Sequence, residues 1–258
     1  MEDILNILQI FQQHYIYNKQ FAFIDFFAEF EAFISISKQT IKYQLQFPEI
    51  GENQLILEEF YHPKLKNAVT NSFSNSNGVL LLTGANMAGK STFLKTLGIC
   101  VYLSHLGFPI PAKEAKIPFY NQIYIFINNN DDLSSGYSYF MQEVLNLKEV
   151  VLKCSENQTC FALFDELFKG TNFEDALEIS KTTLNGLLKF TDSFFAISSH
   201  IHQLKDVTNT QKNIHTYYLE CLINNGIPYF SYRIKKGFSD LKLGKIIFEN
   251  EKLNELLA

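Results

Sequence analysis

The spacing of hydrophobic positions along the chain changes near residue 50. Before it, apolar side chains recur at steps of three and four, predicting helices over 2–17 and 21–38. The second carries Phe23, Phe26, Phe27, Phe30, Phe33 and Ile34 on one broad face, with acids opposite. Such a face calls for a cover, either core or a neighbouring domain. "FPEIG" at 47–51 breaks the helical pattern. "QLILEEFYHPKL" then predicts a strand and a turn around Pro63, and "NSFSNSNG" at 71–78 a polar turn or loop. Beyond it, short apolar runs alternate with helical stretches. The pattern predicts strand 79–83, helix 90–105, a loop with Pro109 and Pro111, and strand 121–127. The polar loop "NNNDDLSSGYS" follows, then helix 139–154, strand 160–164, helix 174–190, strand 193–198 and a short helix near 201–205. "NIHTYYLECLI" and "IPYFSYRIKKG" predict a hairpin across "NNG". Such alternation belongs to the α/β class, a central mixed sheet flanked by helices, here with a short helical segment at the N-terminus.

Composition narrows the possible roles. At 258 residues the chain holds one large domain, or one domain and an appendage. The net charge of −5 and the single arginine, Arg233, argue against a free-standing nucleic-acid binder, which needs a basic face to neutralise phosphates. Cys100, Cys154, Cys160 and Cys221 have no metal-ligand spacing and read as thiols in a reducing compartment. The N-terminus is acidic where a signal peptide is basic. The most apolar stretch, "FAFIDFFAEFEAFISI", carries Asp25, Glu29 and Glu31 and is no membrane span. A cytoplasmic protein without membrane contact is expected.

The chemistry concentrates in three places. Gly84-Ala85-Asn86-Met87-Ala88-Gly89-Lys90-Ser91 satisfies G-x-x-x-x-G-K-[ST] between a predicted strand and helix, the context a phosphate loop requires. There backbone N–H groups and the helix dipole converge on phosphate oxygens. Lys90 reaches the β- and γ-phosphates, and the Ser91 hydroxyl ligates Mg²⁺. Next, "CFALFDEL" delivers Asp165 and Glu166 at the end of a buried strand, suited to holding Mg²⁺ and polarising water. Last, "SFFAISSH" ends in His200, which a parallel neighbouring strand brings to the same sheet edge.

In order, "TGANMAGKST", "GYSYFMQEV", "LFDELFKGTNFEDA" and "FFAISSHIHQL" resemble the ATPase domain of the MutS family of DNA mismatch-repair proteins, ABC-type P-loop ATPases. The resemblance runs from about residue 50 to 250. It implies a MutS-type ATPase domain over 49–258, with 1–48 the helical remnant of a lever or clamp. It implies that Gly84 to Thr92 (Gly84, Ala85, Asn86, Met87, Ala88, Gly89, Lys90, Ser91, Thr92) bind ATP. Ser91 and Asp165 are then the Mg²⁺ ligands, Glu166 the base and His200 the switch histidine, with Asn86 near the hydrolytic water. Ser138 matches a serine presented in trans to the partner's γ-phosphate. The implied partners are a second copy, DNA through domains absent from this chain, and mismatch-repair proteins. ATP closes the pair and hydrolysis releases it.

The chain also departs from the family pattern. Ala85 replaces a proline, Phe168-Lys169 replaces Gly-Arg, and Lys242-Leu243 stand in a stretch that commonly holds Ser and Tyr. Tyr232 falls where an aromatic or histidine could lie beside adenine, and reads equally as an ordinary strand tyrosine. Two further readings are a MutS-like ATPase with another task, such as recombination control or a membrane-linked role, and a non-hydrolysing nucleotide-binding scaffold. Intact Lys90, Ser91, Asp165, Glu166 and His200 speak against the scaffold.

Overall fold

A computed structural model describes residues 5–7, 9–10, 22–127, 139–211, 213–224, 226–239, 241 and 243–256. The chain divides into two units, 1–45 and 46–258. In the first, residues 5–7 and 9–10 are helical, while the rest of the predicted helix 2–17 lies outside the described residues. Helix α1 (Ala22–Tyr43) runs five residues past the expected end. Leu45 N–H still bonds to Thr40 O at 2.9 Å, and "FPEIG" follows only after that turn.

The second unit contains two mixed sheets flanked by helices. Its elements are β1 (Glu49–Gly51), β2 (Gln54–Phe60), β3 (Asn71–Ser76), β4 (Gly78–Thr83), α2 (Lys90–His105), β5 (Glu114–Pro118) and β6 (Gln122–Phe126). They continue with α3 (Tyr139–Ser155), β7 (Cys160–Phe164), α4 (Phe173–Leu187), β8 (Phe194–Ser198) and α5 (Lys205–Thr210). Last come β9 (Ile214–Asn224), β10 (Ile227–Lys236), α6 (Leu243–Asn250) and α7 (Leu253–Leu256). Four strands form one sheet in the order β1-β5-β2-β3, and six form the other as β10-β9-β4-β8-β7-β6. The larger sheet is parallel except for the β9–β10 hairpin.

Period-two alternation sorts the continuous apolar runs β4, β7 and β8 onto two cores, as expected of strands covered on both faces. Leu80, Leu82, Phe161, Leu163, Phe194 and Ala196 meet α2 and the smaller sheet. Val79, Leu81, Ala162, Phe164, Phe195 and Ile197 meet α3, α4 and α5. Much of the phenylalanine is used between the sheets. Phe93 of α2 packs edge-on against Phe60 at 5.5 Å and Phe73 at 6.0 Å, and Phe73 continues to Phe194 at 6.2 Å.

Two expectations require correction. Residues 71–76 form strand β3, antiparallel to β2, where a loop was predicted. Its serines and asparagines hide an alternation in which Phe73 and Asn75 point inward. Likewise the Pro109–Pro111 loop is followed by β5, whose charged Glu114 and Lys116 alternate with Ala115 and buried Ile117. Packing has overridden weak β-propensity in both. The hairpin forms with a bulge between Phe230 and Ile234. Among the described residues no helix is long and apolar enough to cross a membrane. All four cysteines are free thiols, and burial pushes that of Cys100 up to about 12.

Candidate functional site

Strand β4 ends at Thr83, and the loop after it reaches α2 through backbone that L side chains rarely adopt. Gly84 has φ +136°, Met87 +68° and Gly89 +100°. A Cβ on Gly84 would stand 3.1 Å from Leu219 O, so glycine is required there for space as well as conformation. No side chain caps α2, and its first turn has no acid. Its amides and positive dipole end therefore face the loop's mouth, as anion binding requires. Lys90 is buried, with Nζ donating to Gly84 O at 3.0 Å and Ala85 O at 3.3 Å. Burial lowers its pKa, against the pull of Glu166 and Asp165.

Across the sheet edge, β7 and β8 lie side by side and parallel. Ser198, the last residue of β8, donates its hydroxyl to Asp165 Oδ1 at 2.6 Å and accepts from Glu166 N–H at 2.8 Å. It thereby fixes both acids at the end of β7. Glu166 Oε1 is 3.9 Å from Lys90 Nζ, and its Oε2 is 2.8 Å from Lys169 Nζ. Burial pushes the Glu166 carboxyl up, but Lys169, Lys90 and His200 together outweigh it and hold the pKa below the usual carboxylate value.

The structure brings Asn86, Glu166 and His200 together around one cavity of about 290 Å³. Gly84, Ala85, Asn86 and Met87 line a second of about 490 Å³ with His200 and the start of α6. A third, of about 400 Å³, opens beside Gly89 and Thr92 and is walled by Tyr61, Val69, Leu219 and Tyr232. Tyr232 is held at φ +55° in the β10 bulge, where Asn71 clasps the backbone. Its Nδ2 donates to Tyr232 O at 3.0 Å, and its Oδ1 accepts from Ile234 N–H at 2.8 Å. Ala88, within the loop, is buried, and Ser91 occupies the first turn of α2. Ser138 and Lys242 lie outside the described residues.

Among the described residues no cluster of three or more His, Cys, Asp or Glu side chains could form a metal cage. A hydroxyl (Ser91) and an anchored carboxylate (Asp165) are donor types that suit Mg²⁺, an ion usually held by one or two protein ligands together with substrate phosphates. Sequence reading missed Ser198 and the pairing of Lys169 with Glu166. A hydroxyl pair before the histidine in "AISSH" was the available signal for the first.

A glycine-bracketed loop from a central strand, a buried lysine opening a helix and an acidic pair on the neighbouring strand end define a P-loop ATPase-type fold. Residues 80–253 match the family model described as MutS domain V, and the chain belongs to that family. It is 25% identical over 241 residues to the DNA mismatch repair protein MutS of Lysinibacillus sphaericus (strain C3-41), covering 90% of this chain and 28% of that protein. It is 32% identical over 174 residues to MutS of Shouchella clausii (strain KSM-K16), covering 66% and 19%. With MutS of Bacillus subtilis (strain 168) the identity is 29% over 208 residues, covering 76% and 24%. The chain thus spans about a quarter of the length of these relatives.

Proposed function

We propose that this chain is the Mg²⁺-dependent, ATP-binding and ATP-hydrolysing module of a MutS-like DNA repair protein, working as an ATP-closed dimer. The observation that carries the reading is the placement of Lys90. Its buried ammonium lies at the mouth of an uncapped, left-handed loop, 3.9 Å from the acid best placed to activate water.

Lys90 exchanges the carbonyls of Gly84 and Ala85 for β- and γ-phosphate oxygens, and the amides of the loop and α2 take the remainder. Ser91 and Asp165 hold Mg²⁺, which when bound neutralises charge developing on the phosphates. Glu166 accepts the proton of the attacking water, beside Asn86 and His200. Adenine fits the cleft between Tyr61, Val69 and Tyr232, where flat apolar walls suit a base.

Pairing is supported by the rim of the site. Met87 and Phe173 are 76% and 51% exposed beside the cavities that hold His200, where a second copy would cover them. On this reading Ser138 of one copy reaches the γ-phosphate of the other, so hydrolysis depends on association. Unit 1–45 transmits nucleotide state to DNA-binding parts of the complete protein, mismatched DNA being the substrate the relatives' name suggests.

ATP turnover with and without Mg²⁺, with Glu166→Gln and Lys90→Ala as controls, tests the module directly. Turnover should need the metal and vanish in both variants. Full activity in Glu166→Gln would remove that residue as the base.

A further inference from the structure

Glu143 is a charged side chain outside the machinery just described, and only 3% of it is exposed. A carboxylate so deep is costly unless its oxygens are engaged. Phe168 N–H donates to its Oε1 at 3.0 Å, while Oε2 has no hydrogen-bond partner among the described residues. Burial pushes its pKa up, and the amides of Phe168, Gly170 and Lys169 draw it back only in part. The carboxylate on α3 therefore faces the backbone of the turn that follows Glu166.

Two independent contacts close the same junction. The buried ring of Phe168 lies 6.2 Å from that of Phe140, in the first turn of α3. Gly170 approaches so closely that a Cβ there would stand 2.9 Å from Phe140 N. The turn itself is conformationally loaded, with Glu166 at φ +53° and Phe168 at +67°. Such a turn keeps its shape only where its surroundings over-determine it, and Glu143 supplies a side-chain hydrogen bond to Phe168 N–H.

We infer that Glu143 is a positioning residue: it fixes the turn that aims Glu166 and makes that turn move as one with the first turn of α3. The inference rests on the reading of Glu166 as the base. Glu143 touches no nucleotide and acts only through the backbone of 168–170.

Hydrogen exchange and steady-state kinetics on the whole chain test this together. Glu143→Gln keeps the size of the side chain but leaves one acceptor oxygen, in place of a carboxylate, for the amides of Phe168, Gly170 and Lys169. Exchange at 168–170 should quicken about tenfold or more. The KM for MgATP should stay within about twofold while kcat falls about tenfold or more. Lys169→Ala, which breaks the pair with Glu166, should alter exchange at both 168–170 and 139–143 in the wild-type background. In Glu143→Gln it should alter only 168–170. Glu143→Asp, one methylene short of Phe168 N, gives the same pattern should the Gln chain fold poorly. A response at 139–143 that is identical in both backgrounds, or an unchanged kcat, overturns the inference. If the wild-type chain turns over no ATP, the functional reading falls, and the exchange cycle still decides the role of Glu143.

Discussion

Lys169 Nζ stands 2.8 Å from Glu166 Oε2, while Lys90 Nζ stands 3.9 Å from Oε1 of the same carboxylate. The acid at the end of β7 is held between two cations, one buried and one largely exposed. In this arrangement Glu166 is kept ionised and kept still. On the proposed function, Lys90 turns toward phosphate, and nucleotide binding and release of Glu166 are then parts of one rearrangement.

The pairing sets a pH dependence. Lys169 lowers the Glu166 pKa, so replacing it with alanine lets that pKa rise. The ionised base is then lost at a higher pH as the solution is acidified. In a pH–rate profile, the acid limb of kcat in Lys169→Ala should move to higher pH, with little change on the alkaline side. An unmoved limb would mean that Lys169 does not touch the base during turnover.

Ser198 ties Asp165 and Glu166 to the neighbouring strand through one hydroxyl. Ser198→Ala should reduce kcat on the order of tenfold to a hundredfold, because small misplacements of reacting groups cost that much. Half-maximal turnover should also need more Mg²⁺, since Asp165 loses its anchor. A magnesium titration of turnover checks this, and a wild-type titration curve would count against the role given to Ser198.

How much of this was legible beforehand depends on sequence distance. The phosphate-loop pattern could be read because its glycines, lysine and serine lie within one short stretch between a strand and a helix. The acidic pair and His200 followed from strand ends. Ser198 and Glu143 did not, because their partners are 32 and 33 residues away for one and 25 for the other. Which hydroxyl or carboxylate meets which turn is settled by strand order and helix docking. Strand β3 escaped for a related reason: only the strand it pairs with makes "NSFSNS" extended.

Phe168 shows a departure being absorbed. Its φ of +67° is where glycine is free and a bulky side chain is strained by about 1–2 kcal/mol. Its ring, however, is 1% exposed and packs on Phe140. Truncating a buried phenylalanine costs about 3–5 kcal/mol. Phe168→Gly should therefore relieve strain yet lose about 1–4 kcal/mol in denaturant unfolding, the difference of the two. A variant more stable than wild type would show that the strain dominates.

Tyr232 lies against the last glycine of the loop, where a Cβ on Gly89 would stand 3.3 Å from its ring. If adenine occupies the adjoining cleft, Tyr232→Ala should weaken ATP binding about threefold to tenfold, the range of one aromatic contact. Asn71→Ala should weaken it similarly, because Asn71 holds the bulge that presents the ring. Equilibrium titration with ATP tests both, and an effect confined to Tyr232 would show that the clasp is not needed.

On the proposed function, the site at Lys90 and Glu166 completes itself only in a pair. The most direct test is ATP hydrolysis per chain across a wide range of protein concentration, with Glu166→Gln as the inactive control. Specific activity should rise with concentration toward a plateau as copies associate. Activity per chain that is constant down to concentrations where sedimentation shows single copies would contradict the claim, because each chain would then hydrolyse ATP alone.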